Sequence, residues 1–273
     1  MSSHPARPAA EELLDIAVGV VREAADAAAA MRVRAVDPVA TKSSATDVVT
    51  AADRAVEKLA VEALRAARPD DVVLGEEYGA TGPAGEPVVR WLLDPIDGTV
   101  NYLYNLAPYA VSLAAEVGGT VVAGVVREVV SGQEWTAVRG RGARRDGRRL
   151  VASGVTELGQ TLVATGFSYE PARRARQARV VAELLPRVRD IRRFGAASVD
   201  LCLTAEGRID AYFEQGLHDW DYAAGGLIAT EAGVRVTGLS GAAPGTAFVL
   251  AAPAGIYDAL HDALVALDAA ALG

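Results

Sequence analysis

The sequence predicts a mixed helix and sheet protein in two halves, an α+β half over residues 1–153 and an α/β half over residues 154–273, packed together. Three observations point there. Apolar residues recur at helical spacing through the segment before Pro69; valine-rich runs separated by glycine-rich turns fill Tyr109 to Val151; and beyond Thr161 strand-length apolar runs alternate with helix-length ones. At 273 residues and 51% hydrophobic, the chain can bury a large core. No internal repeat or low-complexity linker separates the halves.

In order, "MSSHPARPAAEELLDIAVGVVREAADAAAAMR" carries acids at helical spacing and lacks a basic start followed by an unbroken apolar run. It reads as an amphipathic helix, not a secretion signal. "KSSATD" is polar punctuation before a second helix from about Ala52 to Ala67, ended by Arg68-Pro69. "DVVLGEEYG" and "PVVRWLLDPIDGT" read as strands whose ends carry acid. "EVGGT", "VVSGQ" and "VRGRGARRDGRR" then punctuate an antiparallel meander, the last with arginines that suit a solvated edge or, alternatively, a ligand. In the second half "TLVATGF" is a strand, a helix runs from about Pro171 to Val188, and "IRRFG" leads into a helix around "AASVDLCLTAEG". "RIDAYFE" is a strand, "WDYAAGGLIATEAG" a helix, "TAFVLAAP" a strand, and a last helix starts near Ile256. The basic helix "PARRARQARVV" is a solvated face or the border of a site mouth.

A formal net charge of −8 argues against a nucleic-acid surface and suits a protein that holds cations. Cys202 is the only cysteine, which excludes an internal disulfide and a multi-cysteine zinc cluster; a reducing, cytoplasmic setting is expected, with Cys202 as a buried small hydrophobe. No apolar segment approaches the ~20 residues needed to span a bilayer, so no membrane partner is expected.

Acids gather at element boundaries: Asp53, Glu76, Glu77, Asp94, Asp97 and Asp221. In "WLLDPIDGT", Asp94 and Asp97 flank Pro95-Ile96 and run into Gly98-Thr99, so the backbone must bend sharply. Three of them have a plainer alternative: Asp97 as a turn or capping residue, Asp53 and Asp221 as first-turn helix acids. If they converge, their repulsion calls for hard cations, Mg²⁺, Mn²⁺ or Ca²⁺, because the chain has too few cysteines and histidines for zinc.

"TAAD" at Thr50 to Asp53, "GEE" at Gly75 to Glu77, "DPIDGT" at Asp94 to Thr99 and "WDYAAGGLIATEAG" at Trp220 to Gly233 occur in the order and rough spacing of the inositol monophosphatase family, which the chain resembles from about Lys42 to Gly233. The resemblance implies a five-layered α/β/α/β/α sandwich of the inositol monophosphatase and fructose bisphosphatase type, and hydrolysis of small phosphate monoesters with two or three Mg²⁺ ions, Mn²⁺ being a substitute. It places Glu76, Asp94 and the Ile96 carbonyl on one metal and Asp94, Asp97 and Asp221 on another, so the first half carries most ligands. Thr99 with Asp53 becomes the pair that deprotonates a water, Glu76 stands with them, and the Gly98 and Thr99 amides meet phosphate. Gly195, Ala197 and Glu214 become substrate contacts, the first two in a pocket wall "GAAS" at Gly195 to Ser198, and Glu214 suiting either polyol hydroxyls or an ammonium. Glu77 is assigned a third, weaker metal or a supporting place, and Lys42 a loop near the metals or a solvated position. Arg192 and Arg193 are surface cations or contacts for a second phosphate, while His218 beside Trp220 is read as packing. A homodimer and lithium inhibition are implied by the family alone.

The expected substrate is inositol 1-phosphate. Histidinol phosphate, fructose 1,6-bisphosphate and 3′-phosphoadenosine 5′-phosphate are the alternatives, the last disfavoured by 5% aromatic content. A different class, a regulatory protein-interaction module on the same fold, is opposed by the intact metal positions.

Overall fold

The computed structural model describes residues 9–33, 40–41, 48–49, 51–83 and 88–271. Its elements are α1 (Ala10–Val33), β1 (Ala40–Thr41), β2 (Val48–Val49), α2 (Ala51–Ala67), β3 (Val72–Gly75), β4 (Gly79–Thr81), β5 (Arg90–Asp97), α3 (Thr99–Tyr104), β6 (Ala110–Val117), β7 (Thr120–Glu128), β8 (Glu134–Val138), β9 (Ala143–Arg145) and β10 (Arg148–Arg149). Then follow β11 (Leu162–Thr165), α4 (Pro171–Leu184), β12 (Asp190–Arg192), α5 (Ala197–Ala205), β13 (Ala211–Glu214), α6 (Asp219–Glu231), β14 (Val234–Thr237), β15 (Val249–Pro253) and α7 (Ala254–Ala266).

Among the described strands, β3 to β10 form an eight-stranded sheet in the order β10-β9-β8-β7-β6-β5-β3-β4. From β6 to β10 it is the expected antiparallel meander, which β5 extends by pairing antiparallel to β6; β3 lies parallel to β5. The second sheet, β12-β11-β13-β15-β14, is parallel through β12, β11 and β13 and antiparallel beyond.

Side-chain alternation explains the layering. On β5, Trp91 and Leu93 enter the core shared with α1 and α2, whereas Leu92 enters the core shared with α5 and α6. Both sheet faces are therefore buried, which is why the run reads as continuously apolar. The second sheet repeats the pattern: Ala164 and Tyr212 face α5 and α6, while Val163 and Phe213 face α7 and the end of α4. The result is five layers, α1 and α2, sheet, α5 and α6, sheet, α4 and α7, as expected. Each fully buried Leu or Ile is worth roughly 1.5–3 kcal/mol, and Trp91, one of two fully buried indoles, also donates its Nε1–H to Asp71 at 2.9 Å.

Local differences from expectation have local causes. The helix expected to reach Val188 ends at Leu184 in a 3₁₀ turn over Leu185–Arg187, because Pro186 lacks the N–H that would continue the ladder. The short strands β4 and β14 were not anticipated; "VRVT" at Val234–Thr237 becomes a strand by pairing with β15. Helix α3 begins at a Gly98 with φ 89°, where a Cβ would lie 3.1 Å from the Gly195 carbonyl oxygen and 3.2 Å from that of Pro108. The left-handed backbone and the close approach together favour glycine there.

Candidate metal and phosphate site

The bend in β5 builds the site. Residues three apart on a regular strand face opposite sides, so Asp94 and Asp97 ought to diverge. Pro95 has no N–H for the ladder, and the register with β6 slips there: Asp94 pairs with Ser112 but Asp97 with Ala110. The extra residue restores parity, and both carboxylates line one cleft of about 810 Å³. Asp94 Oδ1 closes the bend by accepting the Ile96 N–H at 3.0 Å.

Glu76 reaches the same cleft from the turn after β3, Asp221 from the first turn of α6, and Glu214 from the end of β13. Gly98, Thr99, Gly195 and Ala197 also line it, as does Ile96, so ten of the anticipated positions meet in one place. Their mutual effect is electrostatic. Burial first, and then the charges of Glu76, Asp97, Asp221 and Asp53, push the Asp94 carboxyl well above the usual range. Burial raises Asp97 to about 6 although three bonds from α5 oppose it. These are the Ala197 N–H at 3.1 Å, the Ser198 N–H at 2.7 Å and the Ser198 hydroxyl. Burial and Glu76 likewise raise Asp221, whose Oδ2 accepts the His218 N–H at 2.6 Å at the start of α6.

Glu214 is raised to about 7, chiefly by burial, while the Tyr212 hydroxyl at 2.6 Å and Arg193 pull it back. Behind it, Asp200 is 1% exposed with an Oδ1 that has no hydrogen-bond partner, and burial drives that carboxyl well above the usual range.

Asp53 stands apart. It is 1% exposed, lies behind the cleft wall, and its Oδ1 is 3.3 Å from the Thr99 hydroxyl, which also approaches the Ile96 carbonyl at 3.2 Å. One hydroxyl proton thus has two acceptors. Glu77 turns away towards Arg54 at 3.7 Å and does not line the cleft. Lys42 lies outside the described residues. His218 lines the cleft as an exposed ring stacked on Trp220 at 4.8 Å, so its packing is at the site mouth rather than in the core. Arg193 lines the cleft, whereas Arg192 is exposed and pairs with Asp190. Cys202 is buried as expected.

The sequence reading missed Asn101 and Glu57; it held Ser198 as the end of a pocket wall without its bond to Asp97, and Arg173 as part of a basic helix bordering the site mouth. Asn101 Nδ2 donates to the Pro108 carbonyl at 2.8 Å and the Phe194 carbonyl at 2.7 Å, fastening α3 to the loop before α5. Arg173 brings one residue of the basic α4 helix to the cleft. Glu57 had a signal: it is an acid within the apolar stripe Ala52, Val56, Ala60, Val61 and Leu64 of α2, one turn after Asp53.

An all-oxygen set of carboxylates with one main-chain carbonyl suits a hard divalent cation. Among the described residues, no three such side chains are gathered at ion-binding spacing; the fit is one of donor chemistry and shared cleft. Among them, too, no helix is long and apolar enough to cross a membrane.

The model of the inositol monophosphatase family matches residues 5–271. An inositol-1-monophosphatase of Mycobacterium leprae is 47% identical over 237 residues, 83% of this chain and 81% of its own. A protein of Escherichia coli K12 named Nus factor SuhB is 36% identical over 231 residues, covering 84% and 86%. The structure of Mycobacterium tuberculosis SuhB superposes with a TM-score of 0.82 at 41% identity, covering 96% of this chain and 98% of its own.

Proposed function

The chain belongs to the inositol monophosphatase family and is a phosphoric monoester hydrolase, and from that premise we propose that it hydrolyses inositol 1-phosphate with Mg²⁺. The observation that carries the reading is the bulge at Pro95, which turns two aspartates and a carbonyl of one short stretch to a cleft that also receives Glu76 and Asp221. Glu76, Asp94, the Ile96 carbonyl, Asp97 and Asp221 would hold the divalent ions. When bound, such ions acidify water and neutralise charge on a phosphate and its leaving oxygen.

The chain's own groups supply the rest. Thr99 Oγ1 accepts a proton from the attacking water as its own proton passes to buried Asp53, a relay of the kind that contributes typically ~10²–10⁴-fold. The main-chain N–H groups of Gly98 and Thr99 hold phosphate oxygens. Glu214 accepts a hydrogen bond from a substrate hydroxyl, and Gly195 and Ala197 leave room for the ring. Homodimerisation and lithium inhibition belong to the proposal as family expectations, and the two-half division at residue 153 as a reading of the sequence rhythm.

Phosphate release from inositol 1-phosphate, histidinol phosphate, fructose 1,6-bisphosphate and 3′-phosphoadenosine 5′-phosphate, measured in parallel with Mg²⁺ and with Asp94→Asn as control, tests the reading. Preference for inositol 1-phosphate that Asp94→Asn abolishes is the expected result; preference for another ester overturns the substrate. A relative named as a Nus factor supports a second reading, a regulatory role on the same fold. It predicts that Asp94→Asn retains the cellular effect of the wild-type chain.

A further inference from the structure

Glu57 is fully buried and takes no part in the reaction outlined above. From the inward face of α2 its carboxylate spans to the turn that follows β3. Oε2 accepts the Glu77 N–H at 2.7 Å and Oε1 the Tyr78 N–H at 3.0 Å. Bonds from main-chain N–H groups to an ionised acceptor are roughly twice as strong as neutral ones. The approach is so close that a Cβ on Gly75 would lie 2.1 Å from Glu57 Oε1 and 2.4 Å from its Cδ, so the glycine that opens "GEE" makes room for this carboxylate.

Glu57 also lies four residues after Asp53, hence on the same face of α2 about 6 Å along its axis. The earlier acid contacts Thr99 and the later one grips the turn that carries Glu76. We propose that Glu57 is a positioning residue that aims Glu76 into the cleft, and that α2 thereby keeps the Thr99 relay and the Glu76 carboxylate in register. The inference rests on Glu76 being a metal ligand.

The test is calorimetric titration of Mg²⁺ into the purified, metal-free full chain, with thermal unfolding of each variant as a folding check. Glu57→Gln keeps the shape but sets an amide N–H₂ against a main-chain N–H donor; Glu57→Asp keeps the charge and shortens the reach. Leu64→Ala, two turns further along the same buried stripe, is the packing control. The expected result is Mg²⁺ binding weakened at least ~10-fold by Glu57→Gln, as for other groups that orient metal ligands. Glu57→Asp should fall between, and Leu64→Ala should bind as wild type at a lower Tm. Mg²⁺ affinity within twofold of wild type in both Glu57 variants, or an equal loss in Leu64→Ala, overturns the positioning role. Wild-type chain that binds no Mg²⁺ overturns the metal reading beneath it instead.

Discussion

Stripped of divalent ions, the protein should lose stability as the pH rises from about 5 to about 8, because cleft carboxyls hold their protons more tightly folded than unfolded. Asp97 stands at about 6 against an ordinary 3.8 and Glu214 at about 7 against 4.5, burial being the first cause for both. A folded value above the unfolded one stabilises fully below the unfolded value, and that stabilisation is lost as the pH climbs through the folded value. Integrated between about pH 5 and pH 8, the loss is roughly 1 kcal/mol for Asp97 and roughly 3 kcal/mol for Glu214. Asp94, Asp200 and Asp221 shift in the same direction and add to it. Unfolding entropy of about 2 cal/mol/K per residue converts ~4 kcal/mol over 273 residues into a Tm about 7 °C lower at the higher pH. Differential scanning calorimetry in EDTA measures this directly. Saturating Mg²⁺ should raise Tm more at about pH 8 than at about pH 5, because the ion competes with protons for the same oxygens. A metal-free Tm that stays level or climbs over this range, or a Mg²⁺ effect independent of pH, would refute the reasoning.

Four substitutions probe neighbouring contacts. Thr99→Ala and Asp53→Asn should each lower kcat by ~10²–10⁴ with little change in KM, and steady-state phosphate release that shows only a KM effect would remove the relay. Ser198→Ala withdraws the hydroxyl from Asp97 and should cost roughly 1–3 kcal/mol in thermal unfolding while weakening Mg²⁺ half-saturation; unchanged values would make that bond incidental. Gly98→Ala forces φ 89° on a residue with a Cβ and crowds two carbonyl oxygens, so a penalty of at least ~1–3 kcal/mol in Tm measurements is expected alongside lost activity.

What the sequence by itself determined was set by neighbours along the chain. Periodicity marked α2, α5 and α6, Val-rich runs and Gly turns marked the meander, and Pro95 with Gly98 announced a bend that no regular strand could contain. The acids of "GEE", "DPIDGT" and "WDY" could be singled out because they fall at element ends, and their order carried the family. Tertiary structure decided what lies beyond local chemistry. The side to which Asp94 and Asp97 both turn depends on how β5 registers against β6, a pairing between separate strands. The resemblance paired Asp53 with Thr99 and left Glu77 between a weaker metal and a supporting place; packing brings Asp53 to the Thr99 hydroxyl and turns Glu77 towards Arg54. The bond of Ser198 to Asp97 and the place of Glu57 could not be read along the chain, because their partners are 101 and 20 residues away. Short-range sterics and hydrogen bonding select each element from its own residues, whereas the convergence of positions 76, 94, 97 and 221 exists only once two sheets bury their faces on α5 and α6.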